Sequence, residues 1–182
     1  MIELALHILD IAENSTRAQA DLVEITVRED LAEDIMSVEI RDNGCGMDDM
    51  TLKKAMDPFY TTKKVRRVGL GLPMLSQAAQ RSGGCFVIES KQGQGTKVYA
   101  RFRHSHIDRQ PLGDVPGVIT ALILGSPDID FLYTHSKNGR TYTLDTREIR
   151  RELDGIPLNH REVLGAIKEN IREGILELDT EG

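Results

Sequence analysis

Residues 42–47 read Asp-Asn-Gly-Cys-Gly-Met, D-N-G-C-G-M, with one acid and two glycines in six residues. Such a stretch can start a calcium loop, make a plain turn, or line a ligand pocket. A calcium loop of the EF-hand type needs further oxygen ligands and a glutamate at its last position, and Cys45 and Met47 are the wrong donors. A turn and a pocket remain open. The residues on either side have to decide.

Immediately upstream, Ile35 to Asp42 alternates, placing Met36, Val38 and Ile40 on the inward face of a strand. Asp42 continues that parity, so its carboxylate points inward where the strand ends. Burying a carboxylate without partners is costly, which implies dedicated partners for this one. An earlier strand, Leu22 to Arg28, presents Val23, Ile25 and Val27 in the same way. Before it, Ile2 to about Ala18 has helical periodicity, with Leu4, Ala5, Ile8, Ile11 and Ala12 on one face. His7, Asp10, Asn14 and Arg17 fall within an arc of about 80° beside that face. The stripe is a pocket wall or a solvated helix face, and periodicity alone favours the solvated face.

Downstream, Asp48 to Met56 reads as a short helix stopped before Pro58. The run D-P-F-Y-T-T-K-K-V-R-R is polar and basic without periodicity, hence a loop. It leads into G-L-G-L-P, and a helix follows with Pro73 in its first turn and an end at Ser82-Gly83-Gly84. Glycines ahead of a helix present free N–H groups and a positive dipole end to phosphate. The chain has no G-x-x-x-x-G-K-[ST] loop, and G-L-G-L-P-M lacks the third glycine of a dinucleotide fingerprint. Strands Cys85 to Ser90 and Thr96 to Arg103 form a hairpin across K-Q-G-Q-G, with Thr96, Val98, Ala100 and Phe102 facing inward.

The net charge of −6 excludes a general attraction to nucleic acid or anionic membrane. Two cysteines, Cys45 and Cys85, stand in no metal-ligand spacing, which fits a reducing cytosol and no disulfide framework. No apolar run approaches the roughly 20 residues that cross a bilayer, and the acidic N-terminal stretch reads as no signal peptide. Localisation is therefore expected to be cytoplasmic.

Pro and Gly cluster from Pro111 to Gly117, the expected boundary. The division is 1–103, a linker at 104–117, and a C-terminal α-β-β-α-α appendage at 118–182. In that last piece the reading is a helix near Val118 to Leu124, a hairpin turning on Asn138-Gly139, and helices near Thr146 to Leu153 and Asn159 to Glu173. It is small for an independent core and is expected to pack on the first part.

Order and spacing settle what periodicity leaves open. Asp10 and Asn14 on a helix, D-N-G-C-G-M, D-P-F-Y-T-T-K, G-L-G-L-P and G-Q-G-T together resemble the N, G1, F, G2 and G3 boxes of the GHKL superfamily of ATP-binding domains. The resemblance covers residues 7 to 103 and is strongest to histidine-kinase catalytic domains, through the F box and the basic Arg17. It implies an α/β two-layer sandwich, a mixed sheet covered by helices on one face. It also implies ATP and Mg²⁺ as ligands. Asp42 would accept the adenine amino hydrogen with Thr96 in the same network. Gly44 and Gly46 would admit the base, and Met47 would supply an apolar contact. Asn14 would hold Mg²⁺. Arg17 and Lys63 would neutralise phosphate, cradled by the N–H groups of Gly69, Leu70 and Gly71. Thr61, Thr62 and Lys63 would belong to a short ATP lid.

Function by resemblance is a regulatory phosphotransferase acting on a separate partner protein. A non-catalytic ATP sensor or slow ATPase switch is the alternative, with Asp10 as general base; an anti-sigma-type Ser/Thr kinase ranks lower. A homodimer stays open. Two departures matter. Family domains carry a strand and a helix before the N-box helix, which here has only a few residues ahead of it; the C-terminal piece could cover that surface. And S-H-I-D-R-Q-P-L, Ser105 to Leu112, resembles a phosphoacceptor box containing His106, but Pro and Gly nearby forbid the long helix such a box occupies.

Overall fold

A computed structural model of the protein describes residues 2–57 and 70–180. The chain order is α1 (Leu4–Arg17), β1 (Leu22–Asp30), β2 (Ile35–Asp42), α2 (Asp49–Ala55), α3 (Gly71–Arg81), β3 (Cys85–Lys91), β4 (Gly95–Arg103), α4 (Val115–Gly125), β5 (Asp130–Lys137), β6 (Arg140–Asp145), α5 (Thr146–Glu152) and α6 (Arg161–Asp179). The six strands of the described residues join one sheet, in the order β3-β4-β2-β1-β5-β6. The neighbours are antiparallel except β1 and β5, which run parallel. The fold is the expected mixed α/β sheet with helices packed on it.

Strand alternation builds the core. One row of paired residues runs Ile88, Val98, Ile40, Ile25, Tyr133 and Leu144 across all six strands. The isoleucines of β1 and β2 and Tyr133 of β5 are fully buried in it, and each large side chain so buried contributes about 1.5–3 kcal/mol. Leu4, Ile8, Ile11 and Ala12 of α1, Leu75 and Ala79 of α3, Ile119 and Ile123 of α4 and Ile171 of α6 close over it. The opposite face carries Glu24, Arg28, Glu39, Arg41, Lys97 and Arg101, as the alternation dictates.

The C-terminal elements extend this sheet through the parallel pairing of β5 with β1, from Leu22–Asp130 to Glu29–Lys137. Helix α4 starts inside the Pro/Gly cluster, not at Val118. Asp114 caps it by accepting from the Gly117 N–H at 2.9 Å, and Pro116 sits in the first turn, where its missing donor costs nothing. Helix α6 continues past Glu173 to Asp179, because Gly174 and Leu178 still face the core. The β5–β6 hairpin turns on Asn138 and Gly139, both at positive φ as a type I′ turn requires.

Further ties fasten the first part to the segments that follow it. The first-turn donors of α1 lack a side-chain cap; Leu4 and Ala5 N–H instead donate to the carbonyls of Pro111 and Leu112 at 2.9 and 2.8 Å. At the far end of β1, Glu29 accepts from His135 Nε2 of β5 at 2.8 Å and from His104 Nε2 at 3.0 Å. The His135 hydrogen bond lowers the Glu29 carboxyl to about 2, against a burial cost that pushes the other way. The Tyr133 hydroxyl occupies the other ring nitrogen of His135 at 2.9 Å.

Candidate functional site

The row above the apolar one reads Ser90, Thr96, Asp42, Val23 and Phe131 across β3, β4, β2, β1 and β5. Its β1–β5 half is buried core; its β2–β4–β3 half is polar. The Asp42 carboxylate is held by three donors. Oδ1 accepts from Gly44 N at 2.9 Å and Thr96 N at 3.3 Å, and Oδ2 accepts from the Ser15 hydroxyl at 2.6 Å. Ser15 belongs to α1 and is itself buried, so the helix and the strand end share one polar joint.

The G1 stretch is pinned to the β3–β4 turn. Met47 N donates to Ser90 Oγ at 2.9 Å, and Gly93 N donates to the Cys45 carbonyl at 2.6 Å. Gly46 has φ +66°, and a Cβ there would lie 2.0 Å from the Lys91 carbonyl oxygen. Gly95 has φ +97°, and its Cβ would lie 2.0 Å from the Asp42 carbonyl oxygen. The room these glycines leave is taken by the chain's own backbone, which locks two loops face to face. A Cβ at Gly44 would meet Ala18 and the Asp42 carboxylate instead. Asn43 completes the corner, its Oδ1 accepting from the N–H groups of Asp21 and Leu22 at 2.8 and 3.0 Å.

On α1, Asp10, Asn14 and Arg17 are exposed and His7 is not. His7 is 3% exposed and bonds Gln110 at 2.9 Å, so it belongs to packing. Burial holds its imidazole below the ordinary value, although Gln110 and nearby Asp10 favour the proton. Asp10 lies against the first residue of α3: its Cβ is 3.2 Å from where a Gly71 Cβ would stand. The Arg17 guanidinium donates to Asn14 Oδ1 at 2.9 Å and to Glu13 at 3.1 Å. Leu70 caps α3 without a side-chain hydrogen bond.

Asp10, Asn14, Asp42, Gly44, Gly46, Met47, Leu70, Gly71 and Thr96 thus sit on three neighbouring edges: α1, the β2 end with the β3–β4 turn, and the start of α3. Thr61, Thr62, Lys63 and Gly69 lie outside the described residues, as does most of the F-box stretch. Sequence reading missed Ser15 and Ser90. Both were findable, Ser15 from the core face of α1 and Ser90 from the inward parity of Phe86 and Ile88. His106 occupies a turn, with its Nδ1 accepting from Asp108 N at 3.1 Å. Among the described residues, no three His, Cys, Asp or Glu side chains could hold a metal, and no helix is long and apolar enough to cross a membrane.

Residues 2–106 match the family of histidine kinase-, DNA gyrase B- and HSP90-like ATPases, and the chain belongs to that family. Its relatives in sequence include sensor proteins and sensor kinases, and what it carries is a histidine-kinase-type ATP-binding domain. A sensor protein of Shewanella frigidimarina is 32% identical over 97 residues, 53% of this chain and 14% of the relative. The sensor kinase CckA of Brucella abortus is 32% identical over 98 residues, 53% of this chain and 10% of the relative. The chain therefore spans a small part of the length of these relatives. In structure, the N-terminal domain of a DNA repair protein superposes with a TM-score of 0.57 at 18% identity, covering 80% of this chain and 53% of that one. That likeness concerns the fold.

Proposed function

We propose that the chain binds Mg-ATP at the Asp42 end of β2 and serves as a regulatory phosphotransferase acting on a separate partner protein. The observation that carries the reading is the Asp42 carboxylate, oriented by three donors from α1, the G1 stretch and β4. A carboxylate so fixed is a preorganised acceptor for an amino hydrogen of a base. Met47 would give that base an apolar contact, with Thr96 beside it.

The rest of the site suits a triphosphate. Asn14 offers an exposed amide oxygen, already a partner of the Arg17 cation, and a hard cation such as Mg²⁺ takes oxygen ligands of this kind. Mg²⁺ would supply neutralisation of phosphate charge when bound. Arg17 and Lys63 would share that task, and Gly69, Leu70 and Gly71 would offer N–H groups at the start of α3. The sensor kinases among the relatives support transfer of phosphate to protein.

One observation favours a second reading, a slow ATPase switch. Asp10 reaches the start of α3, where a carboxylate could take a proton from an attacking water. Pure protein incubated with Mg²⁺ and γ-labelled ATP separates the two, with Asp42→Asn as the non-binding control. Label that appears on an added partner supports transfer. Free phosphate that disappears in Asp10→Asn supports the switch. Binding by Asp42→Asn at wild-type strength would overturn the site itself.

A further inference from the structure

We infer that Glu13 holds the Arg17 guanidinium off the phosphates and so sets the affinity for Mg-ATP; the inference rests on the nucleotide reading of the site. Arg17 is clasped by two neighbours on α1. One of its nitrogens donates to Asn14 Oδ1 at 2.9 Å and another to Glu13 Oε2 at 3.1 Å. A guanidinium has only donors, so the Asn14 atom it meets is the amide oxygen and not the NH₂ group. That oxygen is the one side-chain atom of Asn14 that can ligate a hard cation. The clasp thus engages two groups that a bound triphosphate would need, the Asn14 oxygen and the Arg17 charge.

Asp10 and Arg17, about two turns apart, lie on one side of α1. Asp10 meets the start of α3 at Gly71, where the phosphates are proposed to lie. The Arg17 side chain is instead drawn back to Glu13. The two line a cleft of about 260 Å³, with Leu122, Gly125 and Ser126 at the end of α4 on its other wall. The helix itself favours this arrangement. A glutamate four residues ahead of a basic residue is the better order for such a pair. Arg17 also stands in the last turn, where the negative end of the helix dipole attracts a cation.

Filling the site sets these contacts against each other. An oxygen shared by a guanidinium and a divalent ion brings two cations together, so Arg17 leaves Asn14. It then has two anions to choose between, the Glu13 carboxylate and the phosphates. Affinity falls by the fraction of molecules in which Glu13 keeps it. Both partners of the pair are half-exposed, so the effect is a few-fold and not orders of magnitude. Glu13 is thus a positioning residue, acting on the phosphates through Arg17.

The test is a double-mutant cycle read as Mg-ATP affinity, by loading each protein with a fluorescent ATP analogue and displacing it. Glu13→Gln keeps the shape of the side chain and removes its charge. It should bind Mg-ATP about twofold to threefold tighter than wild type. Arg17→Gln should bind more weakly, and adding Glu13→Gln to it should change nothing further. A gain that persists without Arg17 overturns the proposal, because the carboxylate would then act on the phosphates by direct repulsion. Glu13→Gln at or below wild-type affinity overturns it as well. Asp42→Asn, run alongside, separates these results from failure of the site. A wild type that binds no better than Asp42→Asn removes the nucleotide reading and this inference with it. A site that needs Asp42 and ignores Glu13 removes this inference alone.

Discussion

The Ser15 hydroxyl donates to Asp42 Oδ2 at 2.6 Å, joining the core side of α1 to the end of β2. The same helix carries Asp10 and Asn14 on its exposed side. A change in how α1 packs on the sheet therefore reaches both ends of the proposed site at once.

Removing the Ser15 hydroxyl should loosen the carboxylate without dismantling the fold. Ser15→Ala is expected to cost about 1 kcal/mol of stability and to weaken ATP binding about threefold to tenfold. Urea unfolding and calorimetric titration of the same preparation check both numbers. Unchanged affinity would show that Gly44 N and Thr96 N suffice to hold Asp42.

The interlock of the G1 stretch with the β3–β4 turn depends on two glycines. Gly46→Ala and Gly95→Ala each combine a positive φ with a Cβ placed 2.0 Å from a backbone carbonyl oxygen. Each should destabilise the protein by at least about 2 kcal/mol, read as a fall in the urea midpoint. Gly93→Ala makes a useful contrast, since it shares the positive φ but its Cβ would meet nothing within 4 Å.

Acid should release the tie at the far end of β1. Glu29 titrates at about 2 in the folded protein, below its ordinary 4.5. A depressed carboxylate stabilises the fold above the unfolded value, and that contribution is lost as pH falls from about 4.5 through about 2. Discounted for partial exposure, the effect should be roughly 1–2 kcal/mol. The stability gap between wild type and Glu29→Gln, measured by urea unfolding from pH 7 to pH 3, should narrow below about pH 4.5. A gap that is constant over that range would remove Glu29 from the role.

The C-terminal strands should be needed for the rest to fold. A fragment ending at Arg103 exposes the β1 edge and leaves α1 without its carbonyl caps from Pro111 and Leu112. It should show no cooperative thermal transition. A soluble, cooperatively melting fragment would refute this.

Much of the site could be read from local pattern. Alternation along β2 put Asp42 on the inward side, and alternation along β4 did the same for Thr96, because side-chain parity is a property of the strand alone. What the pattern could not supply was partner identity. Nothing local says that Leu22 pairs with Asp130, since parallel pairing depends on where a crossover returns. His7 could be read as a pocket-edge or packing histidine, but its partner was out of reach for the same reason. It lies at the edge of a polar arc, but its partner is Gln110, contributed by a segment 103 residues on. The start of α4 was legible in principle: Asp114, then Pro116, is a helix-opening signal that the surrounding glycines disguised as a break.

The pairing of β1 with β5 has a consequence during synthesis. On the ribosome, β1 and β2 emerge early and can form their hairpin at once, but the other edge of β1 must wait for β5, about a hundred residues later in synthesis. Through that interval an unpaired central edge, flanked by Val23, Ile25 and Val27, stands open to any other extended chain. The nascent protein is thus most exposed to aggregation while Asp130–Lys137 is still inside the exit tunnel, and slowing translation before β5 should lower its soluble yield.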